Sequence, residues 1–267
     1  MCERQSKARH LSEPVDYILD GRGVAHITLN RPHRLNAITA SLVSGLVAAL
    51  RTAESDGARV VTLRGAGTSF CAGHDLREPQ EPYTFERGDH LQDVTRCMRA
   101  LPAPVLSVVQ GYAIGGGFEF ALASDLIVAA DSSQFQFPEV DVGLSATGGA
   151  TALLPRIVGP IRAKRLMLLG ERVSAGEALA LGLITIAVPD DELDQTVEGI
   201  IDRLLKKSGS SLTLAKRAID IGSDGTLEAS LAAEVDHLVR LSSSEEAAVA
   251  AERFRASASA KGSGGSA

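Results

Sequence analysis

Three short, mostly apolar runs constrain what this chain can fold into. Residues 59–63, 105–109 and 126–130 each read as a buried β-strand, too short for a helix and rich in Val, Leu and Ile. Helix-compatible stretches separate them. Residues 39–54 place Leu42, Val43, Leu46, Val47 and Leu50 on one helical face that Gly57 closes. A polar, Pro-containing segment at 78–88 precedes an amphipathic run at 91–101, and residues 118–123 suit another helix. Strands that alternate with helices indicate an α/β core. Ahead of it, residues 15–20 and 24–29 are β-prone runs joined by Gly21-Arg22-Gly23, the pattern of a hairpin.

The character changes after Pro189. Asp190 can cap a helix carrying Leu193, Val197, Ile200, Ile201, Leu204 and Leu205, and residues 212–221 and 227–241 continue in the helical period. The expected organisation is a flexible arm at 1–13, an α/β core at 14–189, a helical region at 190–256 and a Gly/Ser-rich tail at 257–267. A chain of 267 residues suits one core with a smaller appendage.

Charge narrows the possible ligands. With 27 basic and 33 acidic side chains the net charge is -6, the wrong sign for binding nucleic acid through bulk charge. An anionic ligand would need a local cluster of Arg or Lys. No run of about 18 apolar residues suggests a membrane span, and the first ten residues lack the apolar stretch of a secretory signal. Cys2, Cys71 and Cys97 form neither an even disulfide set nor a CxxC pair. A reduced, cytoplasmic protein is the expectation.

Three stretches could carry chemistry. Gly115-Gly116-Gly117 leaves backbone N–H groups unshielded ahead of a helix, which suits a developing negative charge. The same glycines would equally serve a tight turn of positive φ. Ser69-Phe-Cys71-Ala-Gly73-His74-Asp75-Leu76 follows the strand at 59–63 and also exposes main chain. Its Cys71 reads as a nucleophile or as inert packing, and its His74 as a base or as a structural residue. The third stretch contains Pro138-Glu139-Val140, where apolar neighbours would raise a carboxyl pKa toward neutrality, unless Glu139 is an ordinary loop residue. Gly143-Leu-Ser145-Ala-Thr147 fails the GxSxG spacing of a serine hydrolase. No HExxH, paired His or Cys cluster suggests a metal.

Taken together, these stretches and their order resemble the enoyl-CoA hydratase/isomerase (crotonase) superfamily. The markers are Ile27-Thr-Leu-Asn-Arg31-Pro-His-Arg34-Leu-Asn36, Phe70-Cys-Ala-Gly-His-Asp-Leu76, Gly111-Tyr-Ala-Ile-Gly-Gly-Gly-Phe-Glu119, Asp125-Leu-Ile-Val-Ala129, Phe137-Pro-Glu139 with Gly143-Leu144, Leu154-Pro-Arg-Ile-Val-Gly159 and Ala175-Gly-Glu-Ala-Leu179. The resemblance implies a crotonase-like spiral of ββα units with a C-terminal helical region that joins subunits of a homotrimer or a dimer of trimers. It implies an acyl-CoA thioester substrate, with coenzyme A entering as part of that substrate and no separate cofactor.

By the same resemblance, the backbone N–H groups of His74 and Gly116 would hold the thioester oxygen, and Glu119 and Glu139 would be the catalytic carboxyl groups. Glu139 would exchange the C2 proton while Glu119 holds and activates water. Arg31 and Arg34 would meet the phosphate end of coenzyme A, and the chain around Ala72, Asp75 and Leu76 would line its channel. The activity implied is hydration of a 2-enoyl-CoA. The alternatives are a 3-enoyl to 2-enoyl isomerase, which needs only the carboxyl at 139, and a non-catalytic acyl-CoA-binding protein. Three departures from the family pattern stand out: His74 where a small residue is usual, Leu144-Ser-Ala-Thr147-Gly-Gly149 in place of a frequent Pro-Gly, and Glu245-Glu-Ala-Ala-Val249 before the final helix. Thr147 stands where a related dehalogenase pattern would place a nucleophilic Asp.

Overall fold

The computed structural model describes residues 7–9, 14–77, 82 and 84–243, with the single positions 248, 249, 252 and 255. Contacts divide the chain into two compact units, Met1–Asp202 and Arg203–Ala267. The first therefore runs past the boundary drawn at 189.

Among its described residues the first unit holds ten strands: β1 (Lys7–Arg9), β2 (Val15–Leu19), β3 (Val24–Leu29), β4 (Val60–Gly65), β5 (Val105–Val109), β6 (Tyr112–Ile114), β7 (Leu126–Ala130), β8 (Gln134–Gln136), β9 (Val173–Ser174) and β10 (Ile186–Val188). Its helices are α1 (Ala40–Ser55), α2 (Phe85–Ala100), α3 (Gly116–Leu122), α4 (Ala150–Val158), α5 (Pro160–Leu168), α6 (Ala175–Ala180) and most of α7 (Leu193–Leu205). A seven-stranded sheet runs in the order β1-β2-β3-β4-β5-β7-β10. β2 and β3 form the expected antiparallel hairpin, and from β3 to β10 every neighbouring pair is parallel. Every residue of β5 is buried, because a central parallel strand is covered on both faces.

β1 corrects the expectation of a loose arm. Lys7, Ala8 and Arg9 pair with Leu19, Ile18 and Tyr17, taking up the open backbone edge of β2. The rest of that arm and the tail at 257–267 lie outside the described residues, as do 78–81 and 83 of the polar segment before α2.

The second sheet has the order β6-β8-β9. Its origin explains the architecture. β5 leads through Gly111 into β6, and β7 leads through residues 131–133 into β8, parallel to β6. The chain after β4 does the same in miniature, where Cys71 makes a single parallel bridge to Ala113 of β6. Each turn of chain thus lays one strand on the large sheet and one on the small, a spiral of repeating units. Phe118 of α3 seals the layers, its ring centroid 4.9 Å from Phe135 and 4.7 Å from Phe137.

In the same core as Phe118 and Phe135, α1 packs on β2 and β3 with Leu42, Leu46 and Leu50 fully buried. Thr39 caps it, its Oγ1 accepting from the Leu42 N–H at 3.2 Å. The second unit holds α8 (Gly209–Asp224) and α9 (Leu227–Ser242), which pack together. Leu227, Leu231, Val235 and Leu238 form an exposed apolar stripe on α9. Among the described residues no helix is long and apolar enough to cross a membrane.

Candidate active site

A cavity of about 320 Å³ opens in the first unit where the spiral brings four stretches together. These are the loop 72–76 after β4, the turn 114–116 at the end of β6, the segment 138–147 after β8, and one face of α2 through Gly88 and Leu91. Its walls are mostly apolar, from Ile38, Leu91, Ile114, Phe120 and Leu144. Into it open Glu119, Glu139, His74, Ser145 and Thr147.

Glu119 sits in the first turn of α3 and is only 2% exposed. Thr147 meets it twice: its backbone N–H donates to Oε1, and its Oγ1 donates to Oε2 at 2.8 Å. Burial pushes the Glu119 carboxyl up to about 7, against the pull of the two Thr147 bonds and helped by the nearby charge of Glu139. Gly148 allows this close approach. A Cβ added there would stand 2.8 Å from Glu119 Cβ and 2.9 Å from its Oε2.

Glu139 opens a single 3₁₀ turn, Glu139–Val142, directly after Pro138. Partial burial raises its carboxyl above the ordinary value, with its own backbone N–H opposing. A methyl group on Gly115 would meet Glu139 Oε1 at 2.7 Å, and one on Gly116 would stand 3.7 Å from Glu119 Oε2. Adjacent residues of one turn thus lie beside the two carboxyl groups. Gly115 alone of the three glycines has positive φ, at +53°, so the tight turn and the helix start are consecutive parts of one feature.

The loop 71–75 is held on two sides. Cys71 exchanges backbone bonds with Tyr112 and Ile114. His74 forms a parallel bridge with Ile38, in which Ile38 donates to Gly73 and accepts from Asp75. In a parallel ladder the bridged residue's own N–H then points away from Ile38. His74 is one of the residues that line the cavity. Cys71 is inert packing: its thiol is buried, donates to the Asn36 carbonyl at 3.1 Å, and is pushed up to about 12 by burial.

Of the residues assigned to coenzyme A, Ala72 and Leu76 line the cavity, whereas Arg31, Arg34 and Asp75 lie outside its lining. Arg31 is engaged with the protein itself. Its guanidinium donates to Asp75 at 2.9 Å and to the Ala37 carbonyl, in a pair that is 15% and 5% exposed. Burial would raise the Asp75 carboxyl, but the Arg31 bond, the Arg77 N–H and the charges of Arg31 and Arg34 together hold it below the usual range.

Sequence reasoning missed Asn36 as an organiser of this region. It is fully buried at φ +57°, where Asn is tolerated better than most residues. It accepts from the Arg31 N–H at 2.8 Å and donates to the Ala66 and Ser69 carbonyls at 2.9 and 2.8 Å, so it binds the arginine loop to the loop before Phe70. The quoted Leu35-Asn36 marker was its signal. Asn36→Ala strands one buried and two partly buried backbone groups, and chemical denaturation should register a loss of about 3 kcal/mol. A loss below about 1 kcal/mol would contradict this role.

Comparison with known proteins agrees with the geometry. A family model described as enoyl-CoA hydratase/isomerase matches residues 20–258. A probable enoyl-CoA hydratase of Mycobacterium bovis is 38% identical over 224 residues, which cover 79% of each chain. A 1,2-epoxyphenylacetyl-CoA isomerase of Escherichia coli is 35% identical over 226 residues, 81% of this chain and 86% of the relative. The crystal structure of an enoyl-CoA hydratase from Mycobacterium smegmatis, 28% identical, has a TM-score of 0.87 and covers 92% of this chain and 97% of that one. The chain belongs to the enoyl-CoA hydratase/isomerase family and has the crotonase fold.

Proposed function

We propose that this protein is an enoyl-CoA hydratase that adds water reversibly to a 2-enoyl-CoA to give a 3-hydroxyacyl-CoA. The observation that carries the reading is that two carboxyl groups, Glu119 and Glu139, open into one cavity beside the backbone of residues 74 and 116, both raised by burial. The thioester oxygen accepts from the His74 and Gly116 N–H groups, where negative charge develops as the enolate forms. Glu119 holds a water and takes its proton as the oxygen bonds to C3. Glu139 delivers a proton to C2, and the pair shares these protons over the cycle.

Coenzyme A enters as the thioester and no separate cofactor takes part. Its phosphate end meets Arg31 and Arg34, and the chain around Ala72, Asp75 and Leu76 lines its channel. The protein works in the cytoplasm as a homotrimer or a dimer of trimers through the helical region 190–256. The exposed stripe on α9 supports self-association.

A second reading, an isomerase that moves a proton between C2 and C4, draws support from the two bonds that tie Glu119 to Thr147. Solvent enriched in heavy oxygen separates the two. The hydratase yields labelled 3-hydroxyacyl-CoA, and Glu139→Gln loses both hydration and exchange of the C2 proton, by roughly 10²–10⁴-fold. Isomerisation without label, across short, long and branched acyl groups, would overturn the first reading.

A further inference from the structure

We infer that Thr147 is a positioning residue whose N–H fixes one oxygen of Glu119 while its hydroxyl follows the protonation state of the other. The inference rests on the hydratase reading for its place in the reaction. Its structural basis is the double contact from a single residue, N–H to Oε1 and Oγ1 to Oε2.

The two contacts differ in kind. A backbone N–H can only donate, so Oε1 remains an acceptor whatever the charge on Glu119. A threonine hydroxyl can donate or accept. It donates to Oε2 of the carboxylate, and by turning about its C–O bond it accepts from Oε2 of the carboxylic acid. A group that must take up and release a proton in each turnover then keeps both bonds in both states. A buried carboxyl without that second partner would lose a bond on one side of the cycle.

The loop carrying Thr147 is itself anchored. Gly148, its neighbour, passes against Glu119 where no Cβ fits, and its carbonyl accepts from Thr95 Oγ1 of α2 at 2.7 Å. Glu139 has no such arrangement. Its own N–H is the hydrogen bond that acts on it. The titratable groups that share the cavity with Glu119 are Glu139 and His74. Serine is the only other common residue that could offer the same pair of contacts with a small aliphatic hydroxyl.

The test compares Thr147→Val, which keeps the N–H and the volume but removes the hydroxyl, with Thr147→Ser. The expected result for valine is a kcat lowered about 10-fold or more with KM little changed. The acidic limb of its pH–rate profile should move to higher pH by about one unit, because the charge-assisted bond the carboxylate loses is stronger than the neutral bond the acid loses. Serine should restore both. A second readout does not need turnover: the pH dependence of the melting temperature, each protein measured with and without Glu119→Gln, reports the Glu119 titration directly. It should move to higher pH in the valine variant and return in the serine variant. Wild-type behaviour of the valine variant in both readouts, or a serine variant as impaired as valine, would overturn the inference. If the wild type hydrates no enoyl-CoA, the hydratase reading fails while the melting series still decides the role of Thr147.

Discussion

Glu119→Gln is expected to lower hydration by about 10²–10⁴-fold and, at the same time, to make the protein more stable above neutral pH. The two effects have one cause. Burial lifts the native Glu119 carboxyl from 4.5 to about 7, so the folded chain binds this proton more tightly than the unfolded chain does. The stabilisation is complete below pH 4.5 and is lost as pH rises through about 7. Over that window the group's contribution falls by roughly 3 kcal/mol. Glutamine carries no such titration. Its amide oxygen still accepts from the Thr147 N–H, and its NH₂ can donate to the Thr147 hydroxyl. Melting curves at pH 5 and pH 8 should therefore show a wild type that weakens and a variant that weakens much less. Glu139 adds a change of the same sign, since its pKa is also raised. An identical pH slope in both proteins would mean that Glu119 is solvated in solution, and the acid–base assignment would lose its physical basis.

What the sequence made legible follows from how locally each feature is encoded. The strands β4, β5 and β7 are runs of apolar residues that no helix or surface loop would use, and α1 announces itself by the spacing of Leu42, Leu46 and Leu50. The strands β6, β8, β9 and β10 gave no such signal. They are two or three residues long, and β8 alternates Gln-Phe-Gln because one of its faces is only partly covered. Such strands exist because neighbours supply their hydrogen bonds, which is tertiary information. The helices α4 and α6 were legible only as family markers, and α5 carried none.

The site shows the same division. Glu139 stands out as an acidic residue among apolar ones and the glycine loops by their lack of side chains, whereas Glu119 came only from the family resemblance. Thr147 was visible only as a failed hydrolase motif and as the place of a dehalogenase Asp, because its partner lies 28 positions earlier and only the spiral brings them together. Arg31 was assigned a phosphate contact by the family resemblance alone. Its engagement with Asp75 spans 44 positions and could not be read from either residue.

The largest contrast within the glycine loop is expected between positions 116 and 117. A methyl group at Gly117 would run into the Cys71 carbonyl and stand 2.7 Å from Cys71 Cβ and 2.9 Å from its Sγ. Backbone on one side and a fully buried side chain on the other leave it nowhere to go, so Gly117→Ala should be a folding defect, read as a melting temperature lowered by several degrees or more. At Gly116 the obstacle is Ile38 Cδ1 at 2.7 Å, the tip of a side chain that can rotate. Gly116→Ala should therefore fold, with its methyl group projecting between Ile38 and Glu119, in the space where the thioester oxygen would meet the Gly116 N–H. Displacing that oxygen from one donor costs about 10²–10³ in turnover. His74→Ala supplies the control, because the proposed donor there is the main-chain N–H and the truncation leaves it in place. It should retain most activity. The measurements are kcat/KM and melting temperature for all three variants. A Gly116→Ala protein as active as His74→Ala would remove residue 116 from the oxyanion site. A His74→Ala protein as inactive as Glu119→Gln would transfer a catalytic role to the imidazole.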